Sequence, residues 1–164
     1  MLSRENSATL LAAVTDFIYR EARLQDEHQY EAWENLWTDD GVYWVPANGE
    51  NIDPEREMSF IYDNRSRIAL RVKQLLTGKH FTQTPQSRLR RLISNIELLG
   101  GQAGGDVSAA GNSLIFESNL RGDTIWGTRN EYRLRHVDGE LKMAYKKVTL
   151  VNNDKAIYTL SFLV

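Results

Sequence analysis

The apolar residues of this chain change their repeat once, near Pro85, and that change restricts the fold more than any other feature. Before it, Leu10, Leu11, Val14, Phe17 and Ile18 recur at i, i+3/i+4 and i+7, the rhythm of one helical face. Asp16, Arg20, Glu21 and Arg23 fall on the other faces of that helix. Beyond Pro85 the period becomes two: Leu92, Ser94, Ile96 and Leu98 point one way, and Arg91, Ile93, Asn95 and Glu97 the other. Helices gathered first and hairpin-linked strands second predict an α+β fold, one domain over residues 1–164, with a mainly antiparallel sheet packed on one face against helices. A doubly wound parallel sheet does not fit this order.

Local signals fill in the elements. Asp26 followed by Gln29 predicts the start of a second helix with Tyr30, Trp33 and Trp37 on one stripe, ended by Thr38-Asp39-Asp40-Gly41. Val42-Tyr43-Trp44-Val45 predicts a strand closed by Pro46, and Ser59-Phe60-Ile61-Tyr62 is short enough for a strand or a helical turn, with strand preferred. Asp63 or Asn64 can cap a third helix whose Ile68, Val72, Leu75 and Leu76 face inward while Arg65, Arg67, Arg71 and Lys73 stay solvated, with Gly78 at its exit. Further strands follow a turn at Gly100–Asp106, at Ser113–Ser118, and after Arg121-Gly122-Asp123. In the last of these Trp126, Thr128, Asn130, Tyr132 and Leu134 share one face, opposite a strongly charged one. Asp138-Gly139 predicts a tight hairpin. Leu141, Met143 and Tyr145 are out of phase with Val148, Leu150 and Ile157, which predicts a bulge near Lys146-Lys147.

Composition then removes classes of function. The 164 residues contain no Cys, which excludes disulfides, a thiolate nucleophile and any Cys-ligated zinc or iron–sulfur site in this chain. A formal net charge of -2 gives no basic excess for nucleic acid or an anionic membrane. No stretch approaches the roughly 20 apolar residues of a membrane span, and the first residues lack a signal peptide's pattern, so the cytoplasm is the expected location. His28, His80 and His136 have no local metal-ligand spacing; His28 and His136 are expected at the surface, and His80, between Lys79 and Phe81, is the hardest to dismiss. Asp39-Asp40 reads as turn carboxylates and no nucleophile motif occurs. Tyr30, Trp33, Trp37, Tyr43 and Trp44 could line a pocket for an apolar small molecule, but core packing is favoured.

Several blocks, in order and spacing, resemble one family. Asp16–Leu24 with Tyr30-Glu31-Ala32-Trp33, then Asp40–Pro46, Pro54–Asp63, Arg71-Val72 and Pro85–Asn95, are similar to the β subunits of Rieske-type aromatic-ring-hydroxylating dioxygenases. The likeness runs from about residue 10 onward and is strongest before Gly100; Leu89 departs from the small polar residue usual there. The resemblance implies a cone-like fold of the nuclear-transport-factor-2 superfamily and a trimer of small subunits within an α3β3 assembly. It further implies that the large α subunit holds a Rieske [2Fe-2S] cluster and a mononuclear iron, takes electrons originating from NAD(P)H, and converts an aromatic compound, a benzoate-like acid among the candidates, to a cis-dihydrodiol. A Rieske centre needs two Cys and two His, and the second iron two His and a carboxylate, so no cofactor is expected in this chain and its role is architectural.

Within that frame, Arg88 and Arg90 share one face of the strand after Pro85 and are expected at a subunit interface, with Arg91, on the other face, in an intrachain pair. An alternative is a stand-alone isomerase or dehydratase of the same cone fold, recognised by a closed polar pocket holding an acid–base pair rather than a mouth plugged by side chains such as Trp37 or Trp44. A homo-oligomeric binding module is the third reading.

Overall fold

The computed structural model describes residues 4–77, 86–100, 105–154 and 162–164. The predicted roles of Gly78, His80, Pro85 and Ile157, and the middle of the turn after Gly100, lie outside these residues. Helices α1 (Arg4–Asp26), α2 (Tyr30–Glu34) and α3 (Arg65–Leu76) pack against a sheet of β1 (Trp37–Pro46), β2 (Ser59–Asp63), β3 (Arg88–Leu98), β4 (Val107–Asn119), β5 (Gly122–Val137) and β6 (Glu140–Leu150). The strand order is β2-β1-β6-β5-β4-β3, antiparallel throughout except for the parallel pair β1 and β6. Val14, Ile18, Trp33, Tyr43, Ile68, Leu134 and Met143 meet in the concave interior.

Several local expectations are met for the stated reasons. Asn64 caps α3 by accepting the Arg67 amide at 3.0 Å. Asp138 and Gly139, at φ 51° and 83°, make the two-residue turn between β5 and β6. On β5, Trp126, Thr128, Asn130, Tyr132 and Leu134 are all buried.

Others are corrected. Asp26 ends α1 instead of capping α2, whose five residues stop before Trp37. Trp37 opens β1, and the Thr38–Gly41 segment is a bulge within that strand, since Trp37 pairs with Met143 and Val42 with Tyr145. Gly41 is needed there because a Cβ would lie 2.7 Å from Trp37 Cε3. In β3 a second bulge at Asn95, φ 56°, breaks the single phase predicted: Leu89, Arg91 and Ile93 face in, Leu92 and Ser94 face out, and Ile96 and Leu98 then turn inward. The bulge predicted near Lys146-Lys147 lies at Ala144, because Leu134 pairs with Met143 and Arg133 with Tyr145. Of the α3 arginines expected in solvent, Arg65 pairs with Glu34 at 2.9 Å and Arg71 with Asp63 at 2.7 Å.

Candidate functional site

Among the described residues, the cone interior holds buried charged side chains. Glu21, expected on another face of α1 than the apolar stripe, is only 1% exposed, as is Lys146. Glu21 continues the Val14, Ile18 stripe by one more turn, and the Ala144 bulge turns Lys146 inward with Val148 and Leu150. Lys146 Nζ donates to Glu21 Oε1 at 3.0 Å, to Oε2 at 2.9 Å and to the main-chain oxygen of Val164 at 3.1 Å. Trp33 Nε1 donates to Glu21 Oε2 at 2.7 Å, and Tyr43 Oη and Gln25 Nε2 also donate to the Val164 oxygen. Burial lowers the Lys146 pKa against the pull of the Glu21 carboxylate, and burial raises those of the Tyr43 and Tyr132 hydroxyls.

An ammonium has three protons to donate, and all three of these are engaged. The acid–base pair that a cone-fold isomerase would turn toward a substrate is here locked within the protein. Beside it, Ser113, Thr128, Asn130 and Tyr132 satisfy one another through hydroxyl and amide bonds. Trp33, Trp37 and Tyr43 pack edge-to-face and stacked, as core, and Tyr30 joins them in the buried cluster. Trp44 does not plug the interior; it lies on the other side of β1 under Lys147 Nζ, 4.6 Å from the ring centroid. Among the described residues, no group of three or more His, Asp or Glu side chains is placed to hold a metal ion. With no Cys in the sequence, the donor set of a Rieske centre does not fit this chain.

The opposite face of the sheet is unlike the interior. Cross-strand register places Arg90, Phe116 and Ile125 in one row and Leu92, Leu114 and Gly127 in the next. All of the large apolar members are exposed, Leu92 by 73% and Ile125 by 69%. Beside this stripe an open groove of about 670 Å³ is lined by Asp26, Glu27, His28, Arg88, Arg90 and Phe116, among others. Arg88 and Arg90 are exposed on that face, while Leu89 between them is buried. Arg91 turns inward as expected, and its side chain pairs with Asp26 while its amide donates to Asp26 Oδ2 at 3.0 Å. His28, expected at the surface, is half-buried, with Nε2 2.9 Å from the Ser87 carbonyl oxygen and Nδ1 2.7 Å from Tyr30 Oη. His136 is exposed. Asp40, taken for a turn residue, instead accepts from Thr38 Oγ1 at 2.7 Å and Arg135 Nη1 at 2.9 Å. Sequence reading missed both Glu21–Lys146 and the apolar stripe; the first was signalled by helical spacing, the second by Leu114, Phe116 and Ile125 falling opposite the buried phase.

Known proteins share this fold. The ring hydroxylating beta subunit family matches residues 20–154. The small oxygenase component of the p-cumate 2,3-dioxygenase system of Pseudomonas putida is 30% identical over 84% of this chain and 77% of its own length. The anthranilate 1,2-dioxygenase small subunit of Acinetobacter baylyi is 28% identical over 95% and 98%. The crystal structure of the benzoate 1,2-dioxygenase β subunit from Burkholderia mallei superposes with a TM-score of 0.73 at 25% identity, covering 87% of this chain and 91% of that one. A cone of the nuclear-transport-factor-2 type, and a family match that spans most of the sequence, lead to one assignment: the chain belongs to the β subunits of the aromatic-ring-hydroxylating dioxygenases.

Proposed function

We propose that the chain, acting as a single domain, is the non-catalytic small subunit that supports an iron-containing large subunit in an α3β3 dioxygenase, with the small subunits associating as a trimer. The large subunit supplies the Rieske [2Fe-2S] cluster and the mononuclear iron, and the assembly uses dioxygen and electrons from NAD(P)H to dihydroxylate a benzoate-like aromatic acid. The names of relatives active on p-cumate and anthranilate support the aromatic-acid class. The observation that carries the architectural role is the inversion of chemistry between the two faces of the sheet. Inside, the ionisable groups Glu21 and Lys146 are fully engaged with each other; outside, apolar side chains and two arginines lie exposed. Exposed apolar stripes rimmed by charge mark contact surfaces.

Arg88 and Arg90 are the residues proposed to reach carboxylates of a neighbouring subunit, since guanidinium groups bind carboxylates in a fixed fork geometry. The test is Arg88→Glu with Arg90→Glu, co-expressed with the large subunit. The double variant is expected to keep its circular dichroism spectrum, to lose the hexamer in sedimentation and to lose benzoate dihydroxylation. Normal assembly and full turnover by the double variant overturn the interface assignment.

A further inference from the structure

Arg91 joins the wall of the outer groove to the chain at residues 162–164. One arm of its guanidinium pairs with Asp26, which lines the outer groove together with Glu27 and His28. Another arm donates to the main-chain oxygen of Leu163. Its cation also lies over the Phe162 ring, 5.8 Å from the centroid, and that ring packs edge-on against Trp126 at 5.9 Å. Phe162, Leu163 and Val164 are all buried, and Val164 is held from the far side by Tyr43, Gln25 and Lys146. The Arg91 side chain is itself 2% exposed, so no solvent is at hand to replace a lost partner.

We propose that residues 162–164 act as an internal brace that sets the shape of the outer groove, with Arg91 as the positioning residue between them; this rests on reading the groove as a subunit contact. The brace works through strand alternation. Arg88 and Arg90 point into the groove, and Arg91, the next residue, points the opposite way to the tail. Asp26 receives both the Arg91 guanidinium and the Arg91 amide, so the position of the α1 wall relative to the β3 wall follows the position of Arg91. Removing the tail leaves a buried guanidinium with an unpaired arm beside a hole where three side chains stood. It can then swing, and Asp26 with it.

The absence of native Cys makes the groove width directly measurable. Spin labels are placed on Glu27→Cys and Ser118→Cys, one on each wall of the groove, in the full chain, and their separation is read by pulsed electron resonance. A narrow distance distribution is expected for the parent. A distribution roughly twofold broader is expected for the chain ending at residue 161 and for Phe162→Ala, with recovery in Phe162→Leu, which refills most of the hole. Folded variants that keep the narrow distribution overturn the brace. Should the shortened chain fail to fold by circular dichroism, Phe162→Ala decides alone. Because the distance needs no partner, failure of the Arg88 and Arg90 contact in the assembly experiment is a separate outcome from failure of the brace.

Discussion

Lys146 illustrates how much a single residue depends on its partner's presence. A buried ion pair contributes little against a hydrophobic pair of the same shape, but removing one member leaves an uncompensated charge. Lys146→Met is therefore expected to cost about 3–5 kcal/mol in urea unfolding, because Glu21 stays behind with only Trp33 to satisfy it. Glu21→Gln combined with Lys146→Met should recover much of that loss, since Gln keeps an acceptor for Trp33 Nε1 and no charge remains. A double variant no more stable than Lys146→Met alone would remove this account. The same pair shows what sequence reading reaches at this scale. Glu21 lies one helical turn beyond Ile18, so its spacing fits the core face, yet its charge set it with the residues of the other faces; Lys146, distant in the chain, resolves the conflict.

Between elements, β5 is tied to the chain before β4 and to β1 by Arg135, which donates to both oxygens of Asp106, at 2.8 and 3.0 Å, and to Asp40. Hydrogen bonds from Arg135, aided by its charge and that of Arg133, hold the Asp106 carboxyl below its usual range against the effect of burial. Asp40 is lowered too, by its Thr38 bond first and Arg135 second. A carboxylate whose folded pKa is depressed contributes stability above its unfolded pKa and loses it as pH falls through the folded value. Asp106→Asn should accordingly lower the melting temperature at neutral pH, with the gap to the parent closing as pH drops below about 4. A gap that is constant across this range refutes the ion-pair explanation. Most elements were legible because their apolar phase was continuous, as on β5. The bulge at Asn95 was not, because an extra residue in a strand has no compositional mark; in β6 the change of apolar phase signalled a bulge but placed it two residues beyond Ala144. The faces of Arg88 to Arg91 were legible because these residues precede the break at Asn95, so alternation assigns them correctly.

At the scale of the whole molecule, the exposed rows of Leu92, Leu114, Phe116 and Ile125 predict self-association. The isolated chain should sediment as a trimer at micromolar concentration, and Leu114→Glu, in the middle of the stripe, should yield a monomer with an unchanged circular dichroism spectrum. A parent that is monomeric both alone and with the large subunit present contradicts the assembly proposed. The parallel pairing of β1 with β6 bears on how the molecule comes into being. Trp44 must wait for Lys147, and Trp37 for Met143, before β1 has a neighbour on that side. A nascent chain that has released β1 and β2 thus lacks the β6 neighbour of β1 until residues 140–150 are made. Closure of the sheet beside β1 is therefore a long-range event, of the kind whose loop-closure entropy slows folding.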